Sequence, residues 1–161
     1  AILEENKNVG EFAQKYLSRM EIRAPKTDQE WEAYYNLRYK ILRAPLNQPI
    51  GSERNDGDLT GQHFALFSEG RITAIARLDQ SEAGVSQVRF VAVDDAIQGK
   101  GFGRIIMEAT EKASIKQGNH KMILQARNYA VDFYIRLGYT KLEKSHLLFG
   151  VLQHYKMEKV Y

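Results

Sequence analysis

The run Gln98-Gly99-Lys100-Gly101-Phe102-Gly103-Arg104 constrains this chain more than any other part of it. It follows a nearly continuous apolar segment that ends at Val93. It opens a stretch over 101–117 in which Ile105, Ile106, Ala109 and Ala113 recur at helical spacing. A strand, a glycine turn and a helix in that order make a β–α unit, which needs further strands beside it to bury its sheet. Alternating glycines let the main chain turn tightly and approach a ligand without interference from a β-carbon. The helix start adds free N–H groups and the positive end of its dipole, and Lys100 and Arg104 add charge. The segment reads as a phosphate cradle. A nucleotide-triphosphatase loop would need Lys and then Ser or Thr after its last glycine, but Arg104-Ile105 follows here. A dinucleotide loop would need two residues between its second and third glycines and an acidic residue on the next strand; neither is present.

The remaining elements read around that unit. In residues 1–19, Val9, Phe12, Ala13, Tyr16 and Leu17 form the stripe of a short amphipathic helix, an arm ahead of a domain at 20–161. Residues 20–24 alternate as a first strand, and Thr27 with Glu30 makes a capping box that opens a helix through about Leu42. Residues 43–61, rich in Pro, Gly, Asn and Asp, form a long loop of the kind that is often functional or mobile. Strands at 63–67 and 71–78 turn at Glu69-Gly70, a turn at 80–84 leads into the strand 85–93, and 122–126 is a further strand. A helix over 129–137 takes Asn128 as its N-cap and Gly138 as its stop. Strands at 140–149 and 151–159 then turn around Gly150. The order β–α–β–β–β–α–β–α–β–β predicts an α/β (α+β) domain. Its single mixed, mostly antiparallel sheet has about seven strands, with helices on both faces.

Composition narrows the chemistry. With no cysteine, disulfides, thiolate metal sites and cysteine nucleophiles are excluded together, which suits a reducing compartment, by default the cytoplasm. His63, His120, His146 and His154 show no metal-ligand spacing, so no metal is expected. A net charge of +3 with interleaved signs lacks the clustered basic stripe of a nucleic-acid binder. No apolar stretch reaches the length of a membrane span, and no signal segment opens the sequence. Neither nucleic acid nor membrane is expected as a partner.

Gln98, Gly101 and Gly103 match Gln/Arg-x-x-Gly-x-Gly/Ala, the coenzyme-A signature of the GNAT acetyltransferases. Asn128, Phe133-Tyr134 and Leu137-Gly138-Tyr139 match that family's second run. Over about 20–160 the chain resembles a GNAT-type N-acetyltransferase, element order included. The resemblance implies the acyl-CoA N-acyltransferase fold and an acyltransferase enzyme that uses acetyl-CoA (coenzyme A) as cosubstrate, without a metal. It further implies direct attack by an amine, on a small molecule or a peptide, within a ternary complex. The implied cofactor-binding positions are Val91, Ala92 and Val93 on a strand splayed from its neighbour, the loop Gln98, Gly99, Lys100, Gly101, Phe102, Gly103 and Arg104, and Asn128.

Tyr134 is implied as the acid that meets the departing thiolate. Tyr titrates near about 10 and an alkyl thiol near about 8.5, so full proton transfer is uphill by about 2 kcal/mol and hydrogen-bond donation is the expected main role. Many family members place a Glu base on the fourth strand, but the corresponding positions here hold Gln87, Arg89 and Phe90. His63, His146 and His154 are the remaining candidates. The tail over 150–157 resembles that of a bacterial subgroup with a Pro-His pair before a Met, Gln153 standing where that proline would be. Tyr34, Tyr35, Arg38, Tyr39 and Arg43 are expected around the acceptor, where Arg38 and Arg43 would suit an acidic one. A noncatalytic coenzyme-A-binding sensor is the alternative expectation, and common family behaviour suggests a homodimer.

Overall fold

The capping box read from Thr27 and Glu30 is formed in the computed structural model, which describes residues 19–161. Thr27 Oγ1 accepts the Glu30 N–H at 3.1 Å and Glu30 accepts the Thr27 N–H at 3.3 Å, opening α1 (Asp28–Leu42). Arg23, at the end of β1 (Met20–Arg23), forks onto the Glu30 carboxylate at 2.9 and 2.8 Å, so the cap also ties the helix to the sheet. Below it, Tyr34, Leu37 and Leu42 pack on Ala65, Phe67, Ile75 and Ala92.

β2 (Gln62–Ser68) and β3 (Arg71–Glu82) turn at Glu69 and Gly70, whose φ values of 53° and 78° give the two-residue hairpin turn that matches strand twist. β4 (Val85–Val93) lies antiparallel to β3. α2 (Phe102–Lys116) then crosses over, so that β5 (Lys121–Arg127) returns parallel to β4, the geometry that requires a crossover. After α3 (Val131–Arg136), β6 (Thr140–Leu148) and β7 (Leu152–Val160) form a hairpin, with β7 inserted beside β5. The sheet order is β1-β2-β3-β4-β5-β7-β6, and every neighbouring pair but β4–β5 is antiparallel. Phe102, Ile106, Met107, Val131 and Tyr134 of α2 and α3 belong to the core on the face opposite α1, with Leu66, Val88, Leu124 and Met157. The predicted seven-stranded mixed sheet is what forms.

One expectation changes. Asn128 does not cap α3: a 3₁₀ turn, Asn128–Ala130, comes first, and α3 starts after Ala130 with no side-chain cap. An N-cap needs extended backbone, and Asn128 is already inside that tight turn. The helix read in residues 1–19, with its stripe from Val9 to Leu17, falls on residues 1–18, outside the described residues.

The long 43–61 loop is pinned by buried charge. Arg38 and Arg77, both fully buried, each donate to Asp58 Oδ1 at 2.8 Å, and Arg77 forks onto Asp79 at 2.8 and 2.7 Å. Burial alone would raise the Asp58 carboxyl, but the hydrogen bonds from Arg38 and Arg77 outweigh it and hold the group below its ordinary value. A β-carbon on Gly57 would fall 2.5 Å from Arg77 Nη2, so glycine lets the loop close over the cluster. Arg38, expected near the acceptor, is thus a structural residue; its Nε finds no hydrogen-bond partner, and its guanidinium lies 4.2 Å over the Phe90 ring.

Candidate active site

Pairing between β4 and β5 ends at Gln87↔Ile123. Beyond that point β4 carries a bulge: Phe90 has φ 54°, and the register on β3 jumps from Arg77↔Arg89 to Ile75↔Ala92. A bulge bends its strand and increases its twist, and here it turns β4 away from β5. The guanidinium groups of Arg38 and Arg77 lie 4.2 and 5.0 Å from the Phe90 ring centroid, favourable cation–π contacts made by the residue in this uncommon backbone region. The gap between the strands is a cleft of about 670 Å³, the size of a small-molecule site.

The edge of β4 that faces the gap has main-chain groups to offer. The Asp94 N–H donates to Thr73 O at 2.9 Å, toward β3. Peptide direction alternates along a strand, so Val91 and Val93 present their N–H and C=O groups to the gap. Gln98 Nε2 donates to Val93 O at 3.2 Å and fixes the start of the glycine loop.

Gly99 and Gly101 line the mouth with φ 81° and 88°, and a β-carbon on either would meet nothing within 4 Å. Gly101 precedes α2 without any side-chain cap, which leaves the first N–H groups of a 15-residue helix open. Gly103 lines the cleft too and is closely packed: its β-carbon would lie 3.1 Å from Phe133 Cζ. Arg104 also lines the cleft, whereas Lys100, Phe102 and Asn128 do not. Phe102 is in the core, and Lys100 and Asn128 are exposed. Tyr134 lines the cleft and packs edge-to-face on Phe133 and Tyr139 at 5.0 and 5.8 Å. Burial raises its hydroxyl well above the ordinary 10.0, so the group is protonated at neutral pH.

Of the three candidate histidines, His146 and His154 line the cleft and His63 does not. His63 lies outside the cleft, its Nδ1 accepting the Tyr34 hydroxyl and its Nε2 donating to Asp58 O, each at 2.8 Å. Both of its nitrogens are committed. His154 lines the cleft, buried, and its Nδ1–H donates to Leu152 O at 3.1 Å, which leaves the Nε2 lone pair free. Its ring stacks on the exposed His146 with centroids 4.2 Å apart. Burial, reinforced by His146, Arg127 and Arg43, lowers its pKa to about 4, so the imidazole is neutral at pH 7. Gln125 and Arg127 line the same cleft and had not been singled out from the sequence. They alternate with the buried core residues Met122, Leu124 and Ala126, of which Leu124 also reaches the cleft, so the period of two along 121–127 was the available signal. Among the described residues, Arg43, Arg89, Arg104 and Arg127 reach the cleft and no carboxylate does.

Residues 43–161 match the family model described as the acetyltransferase (GNAT) domain. The N-acetyltransferase YjcF of Bacillus subtilis is 26% identical over 136 residues, covering 84% of this chain and 96% of that protein. An acyl-CoA N-acyltransferase from Pseudomonas aeruginosa superposes with a TM-score of 0.74 at 22% identity, over 88% of this chain and 98% of that one. A Bacillus subtilis acetyltransferase solved in complex with CoA gives 0.66 at 13% identity, over 89% and 98%. These structures have the fold in common with this chain.

Proposed function

The chain belongs to the GNAT acetyltransferase family, and on that premise we propose that it passes the acetyl group of acetyl-coenzyme A directly to an amine held in the cleft between β4 and β5. The observation that carries this reading is the parting of the two strands beyond Gln87↔Ile123, beside an uncapped helix N-terminus. The residues fit coenzyme A. The gap-facing main-chain groups of Val91 and the Val93 N–H suit an extended amide-bearing arm, received as an added strand would be. The open space at Gly99 and Gly101, with the N–H groups of α2, suits its pyrophosphate, and Arg104 adds charge there. When bound, acetyl-coenzyme A supplies the acyl group as an activated thioester.

The remaining chemistry rests on this chain's own groups. A main-chain N–H on the gap edge of β4 stabilises negative charge at the reacting carbonyl, a contribution of a few kcal/mol in such sites. The Tyr134 hydroxyl, made less acidic by burial, donates a hydrogen bond to the leaving sulfur rather than surrendering its proton early. His154 Nε2 accepts the proton from the attacking nitrogen, which becomes far more acidic once it is bonded to carbon. With no cysteine in the chain, a thiol-linked acyl-enzyme is not open to it, which favours direct attack.

Gly101→Asp tests the assignment. The change places a β-carbon and a negative charge in the cradle, at a position with φ 88°. Calorimetry should show coenzyme-A affinity collapsing while circular dichroism shows the fold retained. Unchanged affinity in a folded variant would remove the cofactor from this cleft.

A further inference from the structure

Building on the acyltransferase reading, we propose that the acceptor is a small amine that also carries an anionic group, and that Arg43 and Arg127 hold that anion on the α1 side of the cleft. The two guanidinium groups converge on one carbonyl: Arg43 Nη1 and Arg127 Nη2 donate to Leu42 O at 3.1 and 2.6 Å. Their other partners are neutral too, Ser52 O for Arg43 Nε and the Tyr129 hydroxyl for Arg127 Nη1, each at 3.1 Å. This departs from the chain's usual practice. Arg23, Arg38, Arg77, Arg89 and Arg104 each meet a carboxylate. Arg43 and Arg127 form no ion pair with any described residue, and they repel one another in a partly buried place. Burial, then the nearby Arg127 and Arg38, accordingly depress the Arg43 pKa. An anion between the two forks would relieve that repulsion and take charge-assisted hydrogen bonds from both.

The same side of the cleft holds the complement for an amine. Gln125 Oε1 is buried without a hydrogen-bond partner, and His154 Nε2 has a free lone pair. Arg127 sits directly opposite His154 in the β5–β7 pairing, and Gln125 is two residues back on the same face. Cross-strand neighbours stand about 4.5–5.5 Å apart at Cβ, so anion and amine are separated by only a few bonds. That is the scale of an amino acid or an aminoalkyl phosphate. A polyamine would find no carboxylate in the cleft among the described residues.

The test is calorimetry on the protein saturated with coenzyme A. The probes are N-acetylated amino acids, their uncharged amides, and N-acetyl-2-aminoethyl phosphate. The carboxylates should bind at least about tenfold more tightly than the amides, as a charge-assisted fork implies. Arg127→Gln and Arg43→Gln should each erase most of that preference with coenzyme-A affinity unchanged; Arg127→Lys, which keeps the charge without the fork, should restore part of it. Tighter binding of the phosphate would assign the anion as phosphate rather than carboxylate. Equal binding of carboxylates and amides, or no binding of any anionic probe to a protein that does bind coenzyme A, overturns the proposal. Failure to bind coenzyme A at all would instead overturn the acyltransferase reading on which it stands.

Discussion

Tyr134 has a hydroxyl in the cleft and a ring locked between Phe133 and Tyr139. Tyr134→Phe keeps that ring and removes one donor, so stability should hold. Once an acceptor is found, turnover should fall by at least roughly tenfold, at the lower edge of the range for a positioned acid, while coenzyme-A affinity stays within a few-fold. Steady-state kinetics beside calorimetry decides it, and full turnover in the Phe variant would leave the leaving sulfur to the main chain or water. That Tyr134 would stand on a short helix beside the cleft was legible in the sequence, because its spacing from Asn128 and Gly138 is carried by a short local run. The proton acceptor proposed here was not. His63, His146 and His154 look alike along the chain, and only burial, tautomer and the bond from Nδ1 to Leu152 O distinguish the last. Arg38 misled for the same reason: nothing local announces that Asp58, twenty residues on, will neutralise it in the interior.

At the scale of the element, the strands and helices followed from periodicity and caps, but the feature that makes a cleft did not. β4 reads as one strand, nearly continuously apolar from Val88 onward, and its bulge falls on a phenylalanine at φ 54° rather than on a glycine. What accompanies it is tertiary: guanidinium groups from α1 and β3 lie against the ring. The divergence leaves Val91 and Val93 with main-chain groups facing the gap and no partner strand there. Their amides should therefore exchange quickly in the free protein and slow markedly when coenzyme A is added, as recorded by hydrogen exchange with residue-level resolution. The Ala92 N–H, directed at β3, should change far less and serves as the internal control. Protection confined to α1 and the 43–61 loop would place the arm elsewhere.

Across the whole molecule, one buried cluster joins α1, the 43–61 loop and β3, and it holds the loop that carries Arg43. Two guanidinium groups face two carboxylates there, so removing one partner strands a buried cation. Asp58→Asn is nearly isosteric and should cost about 3 kcal/mol, at the low end for a broken buried pair because Asp79 and Asn55 still meet Arg77. For a chain of this size that lowers the melting midpoint by roughly 6–12 °C. The pH dependence separates this term from others. The Asp58 carboxyl is held below its ordinary 3.8, so the unfolded chain takes up the proton first and the stabilisation is lost as pH falls through and below that value. His154 acts higher. Its pKa drops from 6.5 to about 4 on folding, so its contribution is present above 6.5 and lost between those limits. Denaturant unfolding of wild type and Asp58→Asn should therefore run parallel from pH 6.5 to 4 and converge below it, as the wild type alone loses the Asp58 term. A gap that stayed constant down to pH 2 would mean that the ion cluster contributes through packing and not through charge.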